Sequence, residues 1–453
     1  MRSLGPGRSV LVAVLVAVYL AGLTACTAAP RPSAAVSSTV APTGEAACTA
    51  ALDRVVAAVE EQVRSYDLAP GPAPATTATT AATAATAATA ATVTAGSDAT
   101  APVPPATTAT DLAGTLTEAR EVIQANRCPQ EVVSNGLTTK LAGIRARGPI
   151  AGAVLARLTA TITGKVGPTP ISREVAPGED LVGVLAQLPA GSTVRLGPGE
   201  HHLTEPIVLL ESVTIVGQGR DQSRVVSSAA DAAVLVLSPG RVELSGFSLV
   251  RAPGSSGTGI ITGPVASLVL TGMRISGNRA SASKQGGAAV HLSAQSTDAA
   301  PKSTTFEMTD TELVDNEWAG IAVSGAHQVS VEASSFIRNG ECGVCFLDRA
   351  SGSVVNSTFT DNGVGVASVG TAHPVLIDDL FTGGQVGVQA DEDSAPGLQG
   401  NTIRGVGRAA VILTGRSGGT VEGTTCPSVT YGIVIGKQAA PTLLHNTCPT
   451  VGV

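Results

Sequence analysis

The sequence predicts a mainly β solenoid of about ten stacked coils, preceded by a small α-helical module. Three observations carry this expectation. One short phrase recurs at intervals of 22 or 23 residues through the C-terminal part of the chain, as in "FIRNGECGVCF", "FTDNGVGVAS" and "FTGGQVGVQA". Each recurrence contains apolar residues in period-two alternation, the pattern of a half-buried strand. Ahead of the repeats, residues 44–67 instead space their apolar side chains for one face of a helix.

In chain order, the first element is an export signal. Arg2 and Arg8 precede an apolar stretch from Val10 to Gly22, too short to favour a membrane-spanning helix. It ends in Leu23-Thr24-Ala25-Cys26, which resembles a bacterial lipobox. That resemblance implies a signal peptide over residues 1–25, a diacylglyceryl group on the Cys26 thiol, and a tether over residues 26–43. The expected location is extracytoplasmic, with the membrane as a partner through the lipid. Export implies an oxidising compartment, so the remaining six cysteines are read first as disulfides. The net charge is −7, and no Lys/Arg-rich block occurs, which argues against a nucleic-acid partner.

The helical module is expected over residues 44–165. Residues 44–67 place Leu52, Val55, Val56, Val59 and Val63 on one stripe. Asp111 to Arg127 reads as a second helix through Leu112, Leu116, Val122 and Ile123, and weaker helical patterns run through residues 130–163. Between the first two, about residues 69–108, lies an Ala/Thr/Pro tract with too few large apolar residues to bury a core. It is similar to the O-mannosylated tracts of actinobacterial surface proteins, so glycosylation is expected there. In an antiparallel hairpin the ends bearing Cys48 and Cys128 meet, which predicts a bridge between them.

The solenoid is expected over residues 170–453. A small residue recurs at Gly320, Gly343, Gly365, Gly387, Ala410 and Gly432, and each is read as a turn residue leading a strand. Inward pairs follow: Ile321/Val323, Val344/Phe346, Val366/Ser368, Val388/Ala390, Val411/Leu413 and Ile433/Ile435. A second strand supplies another stacked position, held by Leu313, Phe336, Phe359, Phe381, Ile403, Cys426 and Cys448. Asn316, Asn339 and Asn362 follow three residues later, as for a tight turn. Looser copies start near Ala233, Gly259 and Ala289. Three short strands and three bends use about 22 residues, and the next coil stacks about 4.8 Å above.

With the entry segment "GSTVRLGPGEHHLTEPIVLLESVTIVGQG" behind a short helix at Asp180 to Leu188, this region resembles the pectate-lyase-like right-handed parallel β-helix. The resemblance is specific for fold and poor for activity. Cys426 and Cys448 lie one coil apart in one column, within disulfide reach. Cys342 and Cys345 would be about 10 Å apart along a straight strand, so a bridge requires a bend at Gly343; packing filler and a redox or metal C-x-x-C are the other readings. The sequence reaches Val453 within a coil, so an unpaired strand edge is expected to dock on another chain or to be shielded by the front helices.

Chemistry is harder to find. Hydrolysis of a glycoside needs two carboxylates about 5 to 9.5 Å apart. The polygalacturonase-like Asn-Thr-Asp, Gly-His-Gly and Arg-Ile-Lys signatures are absent, as is the Asp-Pro-His of alginate epimerase relatives, and Asp378-Asp379 stands without companions. A row of outward positions is expected at Thr309, Glu332, Asn356, Asp378, Gln399, Glu422 and His445, a polar ladder suited to glycan hydroxyls or simply a solvated face. Trp318 is either a sugar platform or a packing residue. Asp391, Glu392 and Asp393 form an acidic turn, a weak calcium candidate, and no other cofactor is expected. His201, His202 and His291 have no acid partner in sequence reach and are read as structural. Two functions remain: a non-catalytic envelope module presenting its long face to a polysaccharide or envelope protein, and a polysaccharide lyase or hydrolase.

Overall fold

A computed structural model describes residues 45–67 and 121–452, apart from 124, 147–148, 163–165, 168, 239, 264–266, 283–285 and 294–303. Cys26, the tether and the Ala/Thr/Pro tract lie outside the described residues.

In the helical unit, α1 (Glu45–Asp67) buries Leu52, Val55, Val59 and Val63, four of the five residues of the expected stripe. Its neighbours are α2 (Gln130–Leu141) and α3 (Pro149–Ile162), which supply Val133, Leu137, Leu141, Ala151 and Val154. The expected second helix falls mostly outside the described residues, but 121–123 are helical and Cys128 follows them. Cys48 and Cys128 form a disulfide with Cα atoms 5.9 Å apart.

The second unit is a stack of parallel strands in three sheets. Sheet 1 has twelve strands, from Ser172–Val175 to Thr442–Leu444. Sheet 2 has nine, from Gly199–Leu203 to Thr402–Arg404, and sheet 3 has eleven, from Ile207–Leu209 to Thr450–Gly452. The capping helix α4 (Leu181–Ala186) begins where the Asp180 carboxylate accepts the Gly183 N–H at 3.0 Å. Every named strand pair is parallel, and neighbours come from successive coils, the signature of a solenoid that no coil could form alone.

The inward columns follow the sequence register. Ile321, Val344, Val366, Val388, Val411 and Ile433 pair in series, and Leu313, Phe336, Phe359, Phe381 and Ile403 do the same. The three phenylalanine rings stack with centroids 4.6 and 4.5 Å apart.

The small-residue column is not a turn. Gly320, Gly343, Gly365 and Gly387 each sit second in a five-residue strand, at a step the strand pairing skips, and none has positive φ. Space is what requires glycine here. A Cβ on Gly343 would lie 2.6 Å from Phe359 Cδ1 and 2.7 Å from the Gly365 carbonyl oxygen. The bend at this step turns two consecutive residues inward, so Cys342 and Cys345 both face outward. Their Cα atoms are 5.8 Å apart and they are bridged.

The asparagines also have a different job from the expected turn. Asn316, Asn339 and Asn362 are buried and linked side chain to side chain: Asn316 Nδ2 donates to Asn339 Oδ1 and Asn339 Nδ2 to Asn362 Oδ1, both at 2.9 Å. Asn278 extends the ladder one coil earlier, donating to Asn316 Oδ1 at 2.8 Å. The corner itself is made by the preceding residues, Asp315, Arg338 and Asp361, with φ of 56°, 51° and 53°.

Cys426 and Cys448 are bridged across one coil with Cα atoms 4.8 Å apart. Closing a 22-residue separation constrains the unfolded chain by about 3 kcal/mol. Replacing both with Ala is therefore expected to free the last coils selectively. Hydrogen exchange should show Ile433–Ile435 and Thr442–Leu444 losing protection while Val386–Ala390 keeps it; unchanged protection at the end would refute a local staple.

Candidate binding face

The outer surface of sheet 1 is built by simple alternation. In the strand Gln328–Glu332, Val329 and Val331 point into the core while Gln328, Ser330 and Glu332 point out. Parallel pairing without a residue slip carries this choice from coil to coil. One outward column runs Thr305, Gln328, Ser351, His373, and the next Glu307, Ser330, Ser353, Val375. The third runs Thr309, Glu332, Val355, Ile377, Gln399, Glu422 and then Leu444.

The row expected from the sequence therefore divides in two. Thr309, Glu332, Gln399 and Glu422 share the third column. Asn356, Asp378 and His445 lie one residue further on, at the corner where sheet 1 ends, with φ of 51°, 53° and 52°. Asp310, Ala333, Gly400 and Gly423 occupy the same left-handed corner in other coils. Val355 and then Ile377 occupy the next two rungs of the Glu332 column, so the centre of the face is apolar, with Val375 40% exposed. Glu332 and Glu422 are four rungs apart, about 19 Å. Asp378, at the corner, is two rungs from each of them, about 10 Å along the axis, against the window of about 5 to 9.5 Å for hydrolysis.

Other carboxylates on the N-terminal half are ion-paired, a pattern the sequence reading missed. Arg241 Nε donates to Glu243 Oε1 at 2.6 Å and its Nη2 lies 3.6 Å from Glu307 Oε2; the Glu243 hydrogen bond, outweighing desolvation, raises the already high Arg241 pKa. Arg274 bridges Glu312 and Asp221, both at 2.6 Å, and Arg220 joins Asp310 and Glu312 to the same network. In the acidic turn, Asp393 is held by both arms of Arg416, which pulls its carboxyl below the usual range. Asp391 Oδ1 accepts the Glu392 N–H at 2.8 Å. Among the described residues no group of three or more His, Cys, Asp or Glu side chains is arranged to hold a metal.

Trp318 packs against the outward apolar cluster of Ala288, Ala319, Ala322 and the Cys342–Cys345 pair, edge-on to His291 at 5.6 Å. Burial pushes the His291 imidazole down to about 4, with His327 adding to the effect, so His291 is neutral at physiological pH. His201 is buried with Nε2 3.1 Å from the Gly197 carbonyl, while His202 is exposed beside Glu200.

Asp378 and Asp379 diverge completely. Asp378 is exposed at the corner, whereas Asp379 is 1% exposed and turned inward. Burial, more than any other influence, pushes the Asp379 carboxyl up to about 8. An elevated acid beside an exposed one resembles a catalytic pair in sequence. Inward burial denies Asp379 contact with a substrate on the face. The column Ser334, Ser357, Asp379, Asn401 recurs at coil spacing, as the exposed corner residues do, so the spacing alone did not mark Asp379 as interior.

A family model described as right-handed β-helix region matches residues 223–373 and 319–448. No curated protein matches the sequence significantly. Solved structures with a similar fold include the catalytic domain of a GH87 alpha-1,3-glucanase in complex with tetrasaccharides, at 10% identity and TM-score 0.39, covering 62% of this chain and 65% of that one. The Agl-KA catalytic domain is similar at 11% identity and TM-score 0.35, with 56% and 62% covered. The A-module of the Azotobacter vinelandii mannuronan C-5 epimerase AlgE6 is similar at 15% identity and TM-score 0.28, with 58% and 87% covered. The chain spans less than two thirds of the first two, and all three likenesses concern the fold alone. Family match, coil-to-coil parallel pairing and three stacked sheets agree: this chain is a right-handed parallel β-helix repeat protein.

Proposed function

We propose that this protein is a lipid-anchored, extracytoplasmic β-helix that binds a polysaccharide along the outer face of sheet 1 without transforming it. The observation that carries the reading is the register of that face, where Thr305, Gln328 and Ser351, Glu307, Ser330 and Ser353, and then Gln399 and Glu422 stand on successive rungs on either side of the apolar centre. Side chains repeating every 4.8 Å or so present donors and acceptors in the manner a chain of sugar hydroxyls can use. The wide spacing of Glu332, Asp378 and Glu422 favours binding over cleavage. Three disulfides fit an oxidising compartment. No helix among the described residues is long and apolar enough to cross a membrane, and the lipobox-like Cys26 supplies the proposed attachment.

The purified full chain is to be incubated with pectic, alginate, xylan and arabinogalactan polysaccharides, with and without calcium. The expected result is saturable binding to one of these without release of reducing or unsaturated ends. Substitution of Glu332 and Gln399 by Ala should weaken it about tenfold, in keeping with loss of two or more hydrogen bonds. Release of ends that disappears in the Glu332→Ala/Asp378→Ala variant would replace this reading with a lyase or hydrolase. Capture of an envelope protein with no polysaccharide binding would also overturn it.

A further inference from the structure

Inside the corner between sheets 1 and 2 runs a second polar column: Thr311, Ser334, Ser357, Asp379, Asn401, Thr424 and Asn446. Each rung caps the one before it except at Thr424, whose buried hydroxyl has no partner. Ser334 N–H donates to Ser357 Oγ at 3.2 Å, Ser357 N–H to Asp379 Oδ1 at 2.8 Å, and Asp379 N–H to Asn401 Oδ1 at 2.9 Å. The asparagines complete the pattern with their amides. Asn401 Nδ2 donates to the Leu376 carbonyl at 2.9 Å and Asn446 Nδ2 to the Val421 carbonyl at 2.8 Å, each 25 residues upstream.

Asp379 has an oxygen, Oδ2, where those residues have an NH₂. That atom is buried and has no hydrogen-bond partner. By the same 25-residue step its counterpart is the carbonyl of Val354, in the buried strand Ser351–Val355. Two acceptors facing each other in a dry interior repel, and an ionised carboxylate without a cation there is very unfavourable. A carboxylic acid has the shape of an amide and one donor in the required place.

We propose that folded Asp379 is a neutral carboxylic acid whose Oδ2–H donates to the Val354 carbonyl, making this rung of the β-helix sensitive to alkali. Asp378, its chain neighbour, is the charged side chain whose field reaches it, and it acts against ionisation. The flanking rungs Ser357 and Asn401 and the strand residues Val354 and Ile377 carry no charge. No substrate or partner enters the proposal, so it stands or falls apart from the polysaccharide reading.

The sign follows from proton counts. The unfolded aspartate releases its proton near pH 4, the folded one at about 8. Between these values the folded state alone holds the proton, so stability is full below about pH 4, falls as pH rises, and levels off above about pH 8. In that window the unfolding constant should rise about tenfold per pH unit relative to a variant without the acid.

The test compares the full chain with D379N, D379S and D378N. Infrared spectra at pH 6 should show a protonated-carboxyl C=O band in the wild type and D378N that is missing from D379N. Denaturation midpoints of wild type and D379N should converge near pH 4 and separate steadily towards pH 8, while D378N keeps the wild-type trend. Should D379N not fold, D379S, which repeats the residue of the two preceding rungs, serves the same comparison. Absence of the band difference, or parallel pH dependence of the wild type and the Asp379 variants, overturns the proposal.

Discussion

Gly365→Ala is expected to destabilise the β-helix by about 1 to 3 kcal/mol, the range for forcing atoms into a filled core. The added Cβ would stand 2.5 Å from the Gly387 carbonyl oxygen and 2.7 Å from Phe381 Cε1. Neither neighbour moves easily. The carbonyl belongs to the next coil's strand, and the ring is stacked on Phe359. Other coils show how the same position accepts a methyl group. Ala410 stands sixteen residues before Cys426, and Ala233 sixteen before Leu249, where no aromatic ring occupies the facing column. Phe381→Leu in the Gly365→Ala background should therefore recover part of the loss, and a double-mutant cycle on denaturation midpoints measures it. Wild-type stability for Gly365→Ala alone would show that the column is not filled as described.

The second large effect is expected at Asn339. Its amide donates to Asn362 Oδ1 at 2.9 Å and to the Leu313 carbonyl at 3.0 Å, and its oxygen accepts from Asn316 Nδ2 at 2.9 Å. Asn339→Ala removes these bonds from a buried column, although Asn362 Oδ1 keeps the Asn339 backbone N–H at 2.9 Å and Asn316 Nδ2 keeps the Ile275 carbonyl at 3.4 Å. At about 1 to 3 kcal/mol for a buried group left unsatisfied, a loss of about 2 to 3 kcal/mol is expected. Hydrogen exchange should localise it to the coils carrying Asn316 and Asn362, since a solenoid rung communicates chiefly with its neighbours. Asn339→Asp should do similar damage at neutral pH and less in acid, because only the protonated form restores a donor. Little change at any pH would show that water replaces the ladder.

Much of the architecture was legible because stacking converts sequence separation into vertical distance. A spacing of 22 or 23 residues placed Phe336, Phe359 and Phe381 in one column, and pairing confirms it. The same arithmetic joined Cys426 to Cys448. It weakened where coils carry insertions, so Asn278, 38 residues before Asn316, was not recognised as part of the ladder. The candidate face was less legible. Corner residues and strand-end residues both recur at coil spacing and both are polar, so Asn356 and Asp378 were placed in the column of Glu332 although a one-residue offset separates them.

By itself, the sequence determined the periodic fold, the inward apolar columns and the Cys426–Cys448 bridge, since each follows from local alternation repeated at constant spacing. Only the tertiary structure decided why the repeating glycine is small, which of two adjacent acids faces water, and which polar residues share a column. Those depend on the room left by the next coil and on backbone twist at each corner. Composition and spacing carry neither.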